Sequence, residues 1–328
     1  MKIIYIYRSP KMGFSIGKVF KPIEKKMKEK CDCDSITFSN ERYNLFSMIK
    51  NIRCVRKYMK KNSNAIIHIT GTEHYLLPFI KKYKTVCTVH DLGFYTSQKK
   101  TLRLLLKFPL WISSLSLADK VTFISEKSYM EARELVKFKN QQTCVILNPV
   151  GEEFKPKLKS FNETCPRILL IGTKSNKNVE RTITALGGIN CNLRIVGPLS
   201  DKQRLLLEKY NIKYSQVEKI SDEQVIKEYQ NCDIVSFASK YEGFGMPILE
   251  GQASGKVIVT SDISPMREIA NGSCVLVNPF EVESIRNGIK KAIKEHSYYE
   301  QLGQENVRRF SLNLKSEEYY ELYKSLIK

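Results

Sequence analysis

Short apolar runs alternate with longer stretches of helical pattern along this chain, and the alternation starts afresh in the second half. This arrangement is typical of parallel sheets built from strand–helix–strand units. A chain of 328 residues is also too long for one ordinary core and suits two domains. We therefore expect an α/β protein. The predicted strands are residues 3–7, 65–69, 86–89, 120–124, 143–147, 167–172, 192–197, 233–237 and 257–260.

The sequence between the two halves is typical of a linker. Residues 148–156 combine Asn, Pro, Gly and charged side chains, and a polar stretch continues to Pro166. We predict a first domain over residues 1–155, a second over 156–310 and a C-terminal helix over 311–328. Both domains are expected to be Rossmann-like and to face each other across a cleft.

A glycine-rich segment of the second domain, YEGFGMPILE, places two carboxylates around a turn that can open a helix. Pro247 suits the first turn of a helix, and Gly243 and Gly245 let the backbone approach a ligand closely. Free N–H groups and the positive end of a helix dipole favour a diphosphate there. Glu250 is expected two turns along the same helical face as Glu242, where carboxylates suit sugar hydroxyls better than phosphate.

The longer segment EGFGMPILEGQASG resembles the donor-site signature of family 4 of the retaining glycosyltransferases, in which seven residues separate two glutamates. The resemblance continues in the family's order through 256–262 and Pro265 to Glu268, and then through 277–280. It implies the GT-B architecture, two Rossmann-like domains facing across a cleft. The last helix of that architecture commonly returns to the first domain, and residues 316–326 are the candidate here.

The resemblance also implies an activity. A hexose would pass from a nucleotide diphosphate donor to an acceptor hydroxyl with its anomeric configuration retained, in bacterial surface polysaccharide assembly. The implied partners are a nucleotide-sugar donor and a glycan or lipid-linked glycan acceptor. No cofactor is implied, and because no pair of acidic residues offers an obvious metal site, we expect metal-independent stabilisation of the leaving group.

Roles in donor binding follow from the same resemblance. Glu242 would hold hydroxyls of the transferred sugar and take part in catalysis, and Glu250 would hold the ribose. The backbone of the turn between them would bind the diphosphate. That turn consists of Gly243, Phe244, Gly245 and Met246.

A second loop, IGTKSNKN, follows a predicted strand and resembles the family's phosphate-side loop. Lys177 would neutralise the departing diphosphate, with Gly172 and Thr173 beside it. Thr173 stands where the family often has a second basic residue, and Lys174 could supply that charge. Without the resemblance, Lys177 is one of many surface lysines.

In the first domain, His90 in the segment TVHDLG resembles the family's histidine at the cleft and would contact the transferred sugar. A single histidine at a strand end is otherwise more often structural. The loop of Gly13, Phe14 and Ser15 stands where the family places a turn near the donor phosphate and acceptor. Its spacing does not fit a P-loop. Residues 68–75 and Ser125–Glu126 also resemble cleft-facing segments of the family.

The net charge of +20 is concentrated in residues 1–155, which carry an excess of 16 positive charges. Such asymmetry favours an anionic partner, either nucleic acid or the inner leaflet of a membrane, or it is simply a lysine-rich solvated surface. Two basic, apolar segments favour the membrane, residues 46–61 and 99–112, the second of which contains the only tryptophan. Leu105, Phe108 and Trp111 would insert into the interface. The alternative is ordinary surface helices with apolar stripes in the core.

Nine scattered cysteines without a C-x-x-C pair predict reduced, structural thiols. The first residues, MKIIYIY, are too short for a signal peptide, and no stretch has the length of a membrane span. We therefore expect a cytoplasmic protein, with peripheral association at the inner face of the plasma membrane as a hypothesis.

Other classes of function stay open. The first alternative is a catalytically inactive basic scaffold or carbohydrate-binding relative, and the second is a nucleotide-sugar epimerase on the same fold. A nucleic-acid-binding protein comes third, because the sequence has no recognised base-reading element.

Overall fold

The computed structural model describes residues 1–13, 15–42, 44–92, 111–157 and 159–327. The chain divides into two compact units. The first comprises Met1–Pro149 and Leu312–Lys328, and the second comprises Val150–Ser311. Each unit contains a parallel sheet with helices around it, so the predicted α/β class is confirmed.

Six strands form the sheet of the first unit: β1 (Lys2–Tyr7), β2 (Asp32–Thr37), β3 (Ile66–Ile69), β4 (Thr85–Val89), β5 (Lys120–Phe123) and β6 (Thr143–Val145). Their order is β2-β1-β3-β4-β5-β6, and the neighbouring strands run parallel. The helices that follow these strands are α1 (Ser15–Met27), α2 (Leu45–Lys60), α3 (Leu77–Ile80) and α4 (Glu126–Leu135).

The sheet of the second unit consists of β7 (Arg167–Ile171), β8 (Asn192–Val196), β9 (Lys213–Val217), β10 (Ile234–Phe237), β11 (Val257–Ser261) and β12 (Val275–Val277). Their order is β12-β11-β10-β7-β8-β9, again with parallel neighbours. The helices are α5 (Val179–Leu186), α6 (Asp201–Lys209), α7 (Asp222–Asn231), α8 (Met246–Ala253), α9 (Met266–Ala270), α10 (Val282–Lys294) and α11 (His296–Val307).

Both sheets reverse their chain order beside the first strand of the unit. In the first sheet the reversal lies between β1 and β3, and in the second it lies between β7 and β10. The loops after the two strands diverge at such a point and leave a crevice, which is where ligands of open parallel sheets bind. The loops after β7 and β10 contain the residues singled out from the sequence for donor binding.

The final helix, α12 (Leu312–Ser325), belongs to the first unit. Its Tyr319 and Tyr323 are buried in one apolar cluster with Tyr5 and Phe20. The Tyr323 hydroxyl lies 2.6 Å from Nδ1 of His68. This helix therefore completes the core on one face of the first sheet.

His68 is fully buried within β3, and its Nε2 lies 2.8 Å from the Thr88 hydroxyl. Burial lowers the pKa of His68 to about 3, so the ring is neutral at pH 7. The expectation that this segment faces a cleft is therefore wrong for His68, because its ring joins the sheet to α12.

Trp111 does not behave as a membrane anchor. Its side chain is only 8% exposed, it packs in the core of the first unit, and its ring centroid lies 5.4 Å from that of Tyr75. The expectation that Trp111 inserts into a bilayer is wrong, since the core already buries its apolar surface. Leu105 and Phe108 lie outside the described residues. None of the helices that the structure describes is both long enough and apolar enough to cross a membrane.

Candidate active site

Helix α8 begins directly after Gly245, whose backbone conformation residues with a side chain rarely adopt. Gly245 has φ of 127°, where a side chain would be strained, and Pro247 lies in the first turn that follows. Glu242 therefore lies in the loop before the helix, whereas Glu250 lies within it. The expectation that both carboxylates share one helical face is wrong, because the helix starts after the turn that carries Glu242.

Lys177 and Glu242 form the central contact at the carboxyl edge of the second sheet. Lys177 ends the short 3₁₀ helix Ser175–Lys177 after β7, and its Nζ donates to Oε1 of Glu242 at 2.7 Å. The lysine side chain is 21% exposed and the glutamate 15%. The Lys177 ammonium also lies 4.7 Å from the centroid of the Phe237 ring, a cation–π contact. The Lys177 ammonium is therefore held both by the Glu242 carboxylate and by the face of the Phe237 ring.

The lysine stem also explains the glycine at the end of β7. Gly172 has φ of 83°, and a Cβ there would lie 3.2 Å from Cε of Lys177. The backbone must pass close beneath the aliphatic stem for the ammonium to reach Glu242. Glycine meets both requirements.

Two asparagines that the sequence did not single out complete this loop. Nδ2 of Asn176 donates to the carbonyl of Tyr241 at 3.1 Å and to Oε1 of Glu242 at 3.3 Å. Asn178 is buried, has a left-handed backbone, and donates from Nδ2 to the carbonyls of Ala238 and Pro279. The loop after β7 is thus fastened to the loops after β10 and β12. Asparagine tolerates the left-handed conformation better than most residues. An asparagine at this position was therefore the one signal in the sequence that could have indicated the role of Asn178.

Thr173 and Lys174 have different surroundings. Thr173 lies against Gly197. A Cβ added at Gly197 would lie 3.0 Å from Oγ1 of Thr173. The Lys174 side chain is exposed, while its backbone carbonyl accepts from the Lys177 N–H at 2.8 Å. Of the two lysines, Lys177 is the one in contact with Glu242.

Glu250 contacts a tyrosine that the sequence did not single out. The Tyr229 hydroxyl donates to Oε2 of Glu250 at 2.5 Å, and the Tyr229 ring is buried with Phe154 packed edge-on against it at 5.5 Å. Burial, together with the Glu250 charge, raises the pKa of Tyr229 well above its usual value. Tyr229 is therefore a protonated donor that orients the carboxylate.

The turn before α8 buries its one large side chain. Phe244 is buried, and its ring packs edge-on against Phe310 at 6.3 Å between centroids. The first turn of α8 contains no acidic residue, so nothing on the helix itself neutralises the positive end of its dipole. The backbone N–H groups at Gly245 and Met246 are suited to an anion in this setting.

His90 is the candidate of the first unit. Its Nε2 lies 2.8 Å from the Thr70 carbonyl, and because a carbonyl only accepts, Nε2 carries the proton and Nδ1 has a lone pair. Burial lowers the pKa of His90 to about 4, the Thr70 hydrogen bond partly opposes this, and the Arg8 charge adds to it. The imidazole is therefore neutral at pH 7 and can accept a hydrogen bond from a hydroxyl.

The loop after β1 is held by an arginine that the sequence did not single out. Arg8 donates from Nε to the Gly13 carbonyl at 3.2 Å and from Nη2 to the Ser15 hydroxyl at 3.3 Å. Gly13 has φ of 125°, and a Cβ there would lie 2.6 Å from Nη2 of Arg8. Phe14, the remaining predicted residue of this loop, lies outside the described residues.

Two further groups bear on the expectations from sequence. Ser125 is buried and caps α4 by exchanging hydrogen bonds with Ser128, so its side chain has a structural role. Within the described ranges, no three side chains of His, Cys, Asp or Glu lie together as a metal site would require.

Comparison with known proteins identifies relatives in sequence and in structure. The serotype-specific mannosyltransferase WbdA of Escherichia coli is 26% identical over 249 residues, which cover 67% of this chain and 30% of that protein. The chain thus spans under a third of the length of that relative. Sucrose-phosphate synthase from Thermosynechococcus elongatus has a TM-score of 0.80 at 18% identity and is covered to 99%, with all of this chain aligned.

A third similar protein is HepE from Anabaena, solved in complex with UDP and glucose. It has a TM-score of 0.75 at 16% identity, and the alignment covers 99% of this chain and all of that one. These similarities confirm the predicted GT-B fold. Residues 151–309, almost the whole of the second unit, match the family model described as "Glycosyl transferases group 1". The second unit, over residues 151–309, is therefore similar to the group 1 glycosyltransferases.

Proposed function

We propose that the protein is a retaining hexosyltransferase that moves a sugar from a nucleotide diphosphate to an acceptor hydroxyl. The observation that carries the proposal is the contact between Lys177 and Glu242 at the switch point of the second sheet. It brings a cation for the leaving diphosphate beside a carboxylate for the sugar. The N-terminus of α8, which presents backbone N–H groups, lies four residues after Glu242.

The leaving group is stabilised by fixed positive charge. The Lys177 ammonium and the N-terminus of α8 are both in place before substrate binds, so little reorganisation is needed as negative charge develops on the diphosphate. This arrangement supports transfer without a metal ion. Activity that survives EDTA, and is unchanged when Mg²⁺ is added back, would agree with that mechanism, whereas activity restored only by the metal would contradict it.

Glu242 holds the transferred sugar. A carboxylate has about four acceptor sites, so Glu242 can accept from sugar hydroxyls while it remains paired with Lys177. Glu250, oriented by Tyr229, holds the ribose. In the first unit, neutral His90 accepts a hydrogen bond from a substrate hydroxyl through Nδ1.

The relatives suggest where to look for substrates. WbdA is named as a mannosyltransferase, and HepE was solved with UDP and glucose. We infer a hexose donor and an acceptor in bacterial surface polysaccharide assembly. A thermal-shift screen of UDP, GDP and ADP and of their mannose and glucose conjugates identifies the donor, because a ligand at ~100 times its Kd adds roughly 2.7 kcal/mol to the stability.

The decisive test is turnover of the donor found by that screen. We expect slow donor hydrolysis without acceptor, and NMR of early products should show the anomeric configuration of the donor. Inverted configuration would contradict the retaining mechanism. Tight donor binding without hydrolysis or transfer would favour the inactive carbohydrate-binding relative, and a changed sugar on an intact donor would favour the epimerase.

A further inference from the structure

Helix α2 exposes large apolar side chains on its first turn. Phe46 is 85% exposed, Leu45 is 68% exposed and Ile49 is 37% exposed. Ile49 lies four positions after Leu45 and three after Phe46, so it is a neighbour of both on the helix surface. Single exposed apolar residues need no explanation, but a cluster of three large ones on one turn is typical of an interaction site.

The rest of the exposed side of α2 is basic. The helix contains five Lys and Arg residues and no Asp or Glu. All five are exposed: Lys50, Arg53, Arg56, Lys57 and Lys60. Together with the three apolar residues, they form what we call the outer face of α2.

The opposite side of α2 fixes the direction of this face. Val55 and Met59 are fully buried in the core of the first unit, and Asn51 donates to the Tyr75 hydroxyl at 2.8 Å. A capping box at Asn44 closes the N-terminus of the helix, next to the apolar cluster. The helix therefore cannot roll to bury the apolar residues without giving up its core contacts.

We infer that the outer face of α2 docks on an anionic lipid bilayer. Apolar side chains that enter the interface and cations that meet anionic headgroups are the two components of interfacial helix binding, and both lie on this face. A second copy of the chain would place five cations against five. Nucleic acid would satisfy the cations and leave the exposed Leu45, Phe46 and Ile49 without a role. This inference goes beyond the proposed function and does not rest on the donor site.

Cys54 provides a probe next to the outer face of α2. It is the one cysteine of the nine that is exposed, and it lies beside Arg53 in the middle of α2. The emission maximum of an environment-sensitive fluorophore on Cys54 should shift to the blue when the full chain is mixed with vesicles of phosphatidylcholine and phosphatidylglycerol. Vesicles of phosphatidylcholine alone should give little shift.

Two variants separate the components. Replacing Arg53, Arg56 and Lys57 by Gln should weaken binding to anionic vesicles at low salt by tenfold or more, as measured by co-sedimentation. Replacing Leu45 and Phe46 by Ser should remove the binding that persists at high salt, because screening weakens only the charged component. The melting temperatures of both variants, and the thermal shifts that nucleotides induce in them, should equal those of the protein without substitutions, since these side chains are exposed.

Matched controls lie on α6 of the second unit, where Leu205 is also exposed. Leu205→Ser and Arg204→Gln should leave vesicle binding unchanged. The inference is overturned if anionic vesicles do not bind, if neutral vesicles bind as well, or if the control variants lose as much as the α2 variants. Binding of single-stranded DNA, or self-association in sedimentation velocity, that disappears in the α2 variants while vesicle binding persists would also overturn it.

Discussion

Lys177 and Glu242 lie 65 positions apart in the chain, yet Nζ of the lysine is 2.7 Å from Oε1 of the glutamate. The contact exists because β7 and β10 are neighbours at the point where the sheet reverses its chain order. Each residue follows its strand, and the carboxyl ends of parallel strands meet at one edge.

Lys177→Ala should lower turnover by about 10²-fold or more, because charge on the departing diphosphate is left without its preorganised cation. Donor affinity should fall less than turnover, since the charge grows in the transition state. Steady-state kinetics with the donor from the thermal-shift screen measures both. Lys174→Ala is the matched control and should stay near normal, because that side chain is exposed and does not contact Glu242. The reverse outcome would assign the phosphate role to Lys174.

The two glutamates should separate binding from turnover. Glu250→Ala should weaken binding of the nucleotide diphosphate itself, because its ribose partner is lost with or without a sugar attached. Glu242→Ala should lower kcat much more than nucleotide affinity, since its contacts are to the transferred sugar. Calorimetric titration with the nucleotide, alongside kinetics, measures the split. Unchanged nucleotide affinity in Glu250→Ala would contradict the ribose role, and parallel losses in Glu242→Ala would indicate a structural one.

Tyr229→Phe should weaken nucleotide binding by about fivefold, which corresponds to roughly 1 kcal/mol for one hydrogen bond. The ring stays in place against Phe154, so only the donor to Glu250 is removed. In a Glu250→Ala background the same change should have little further effect, because the two act through one contact. Tyr214→Phe, on an exposed tyrosine, is the control. Additive losses in the double variant would show that Tyr229 acts independently of Glu250.

The stability of the protein should fall as the pH is lowered from 7 towards 4. Burial lowers the pKa of His68 to about 3 and the pKa values of His74 and His90 to about 4, whereas an unfolded histidine has a pKa of about 6.5. Between these values the unfolded chain binds more protons than the native chain, so the free energy of unfolding rises with pH, by up to about 1.4 kcal/mol per pH unit for each histidine.

Urea unfolding across this range tests the histidine contribution. His90→Asn should reduce the slope of the free energy of unfolding against pH by up to about 1.4 kcal/mol per pH unit, because Asn takes up no proton when the chain unfolds. His90 is half-buried whereas His68 is fully buried, so substitution should cost less stability at His90 than at His68. An unaltered slope would mean that His90 titrates in the native state as it does in the unfolded chain.

The strands that the sequence pattern missed share one property. They are β2, β9 and β12, and each lies at the edge of its sheet. An edge strand has one neighbour and is partly solvated, so it does not need the continuous apolar run that predicted the interior strands. In β9, for instance, the first three residues are exposed. Whether such a segment forms a strand depends on hydrogen bonds to the neighbouring strand, and the local sequence contains little information about that pairing.

The site was predicted in a similar, partial way. The motif around Glu242 and the loop around Lys177 are local sequence patterns, and both were recognised by their resemblance to a known family. In the motif, glycine permits backbone conformations that other residues avoid, and proline fixes the first turn of a helix. The positioning roles of Asn176, Asn178 and Tyr229 were not predicted, although the two asparagines lie in the recognised loop. Each acts through a contact with a residue at least twenty positions away, and periodicity or turn chemistry does not indicate contacts at that range.

By itself, the sequence determined the α/β class and the interior strands, because these depend on apolar runs and their spacing, and its resemblance to a known family marked the loops around Lys177 and Glu242. Only the tertiary structure decided that Glu242 pairs with Lys177, that Tyr229 orients Glu250, and that Trp111 is buried while Phe46 is exposed. These outcomes depend on which strands become neighbours and on which side of a helix meets the core. Both are settled by the packing of distant segments against one another.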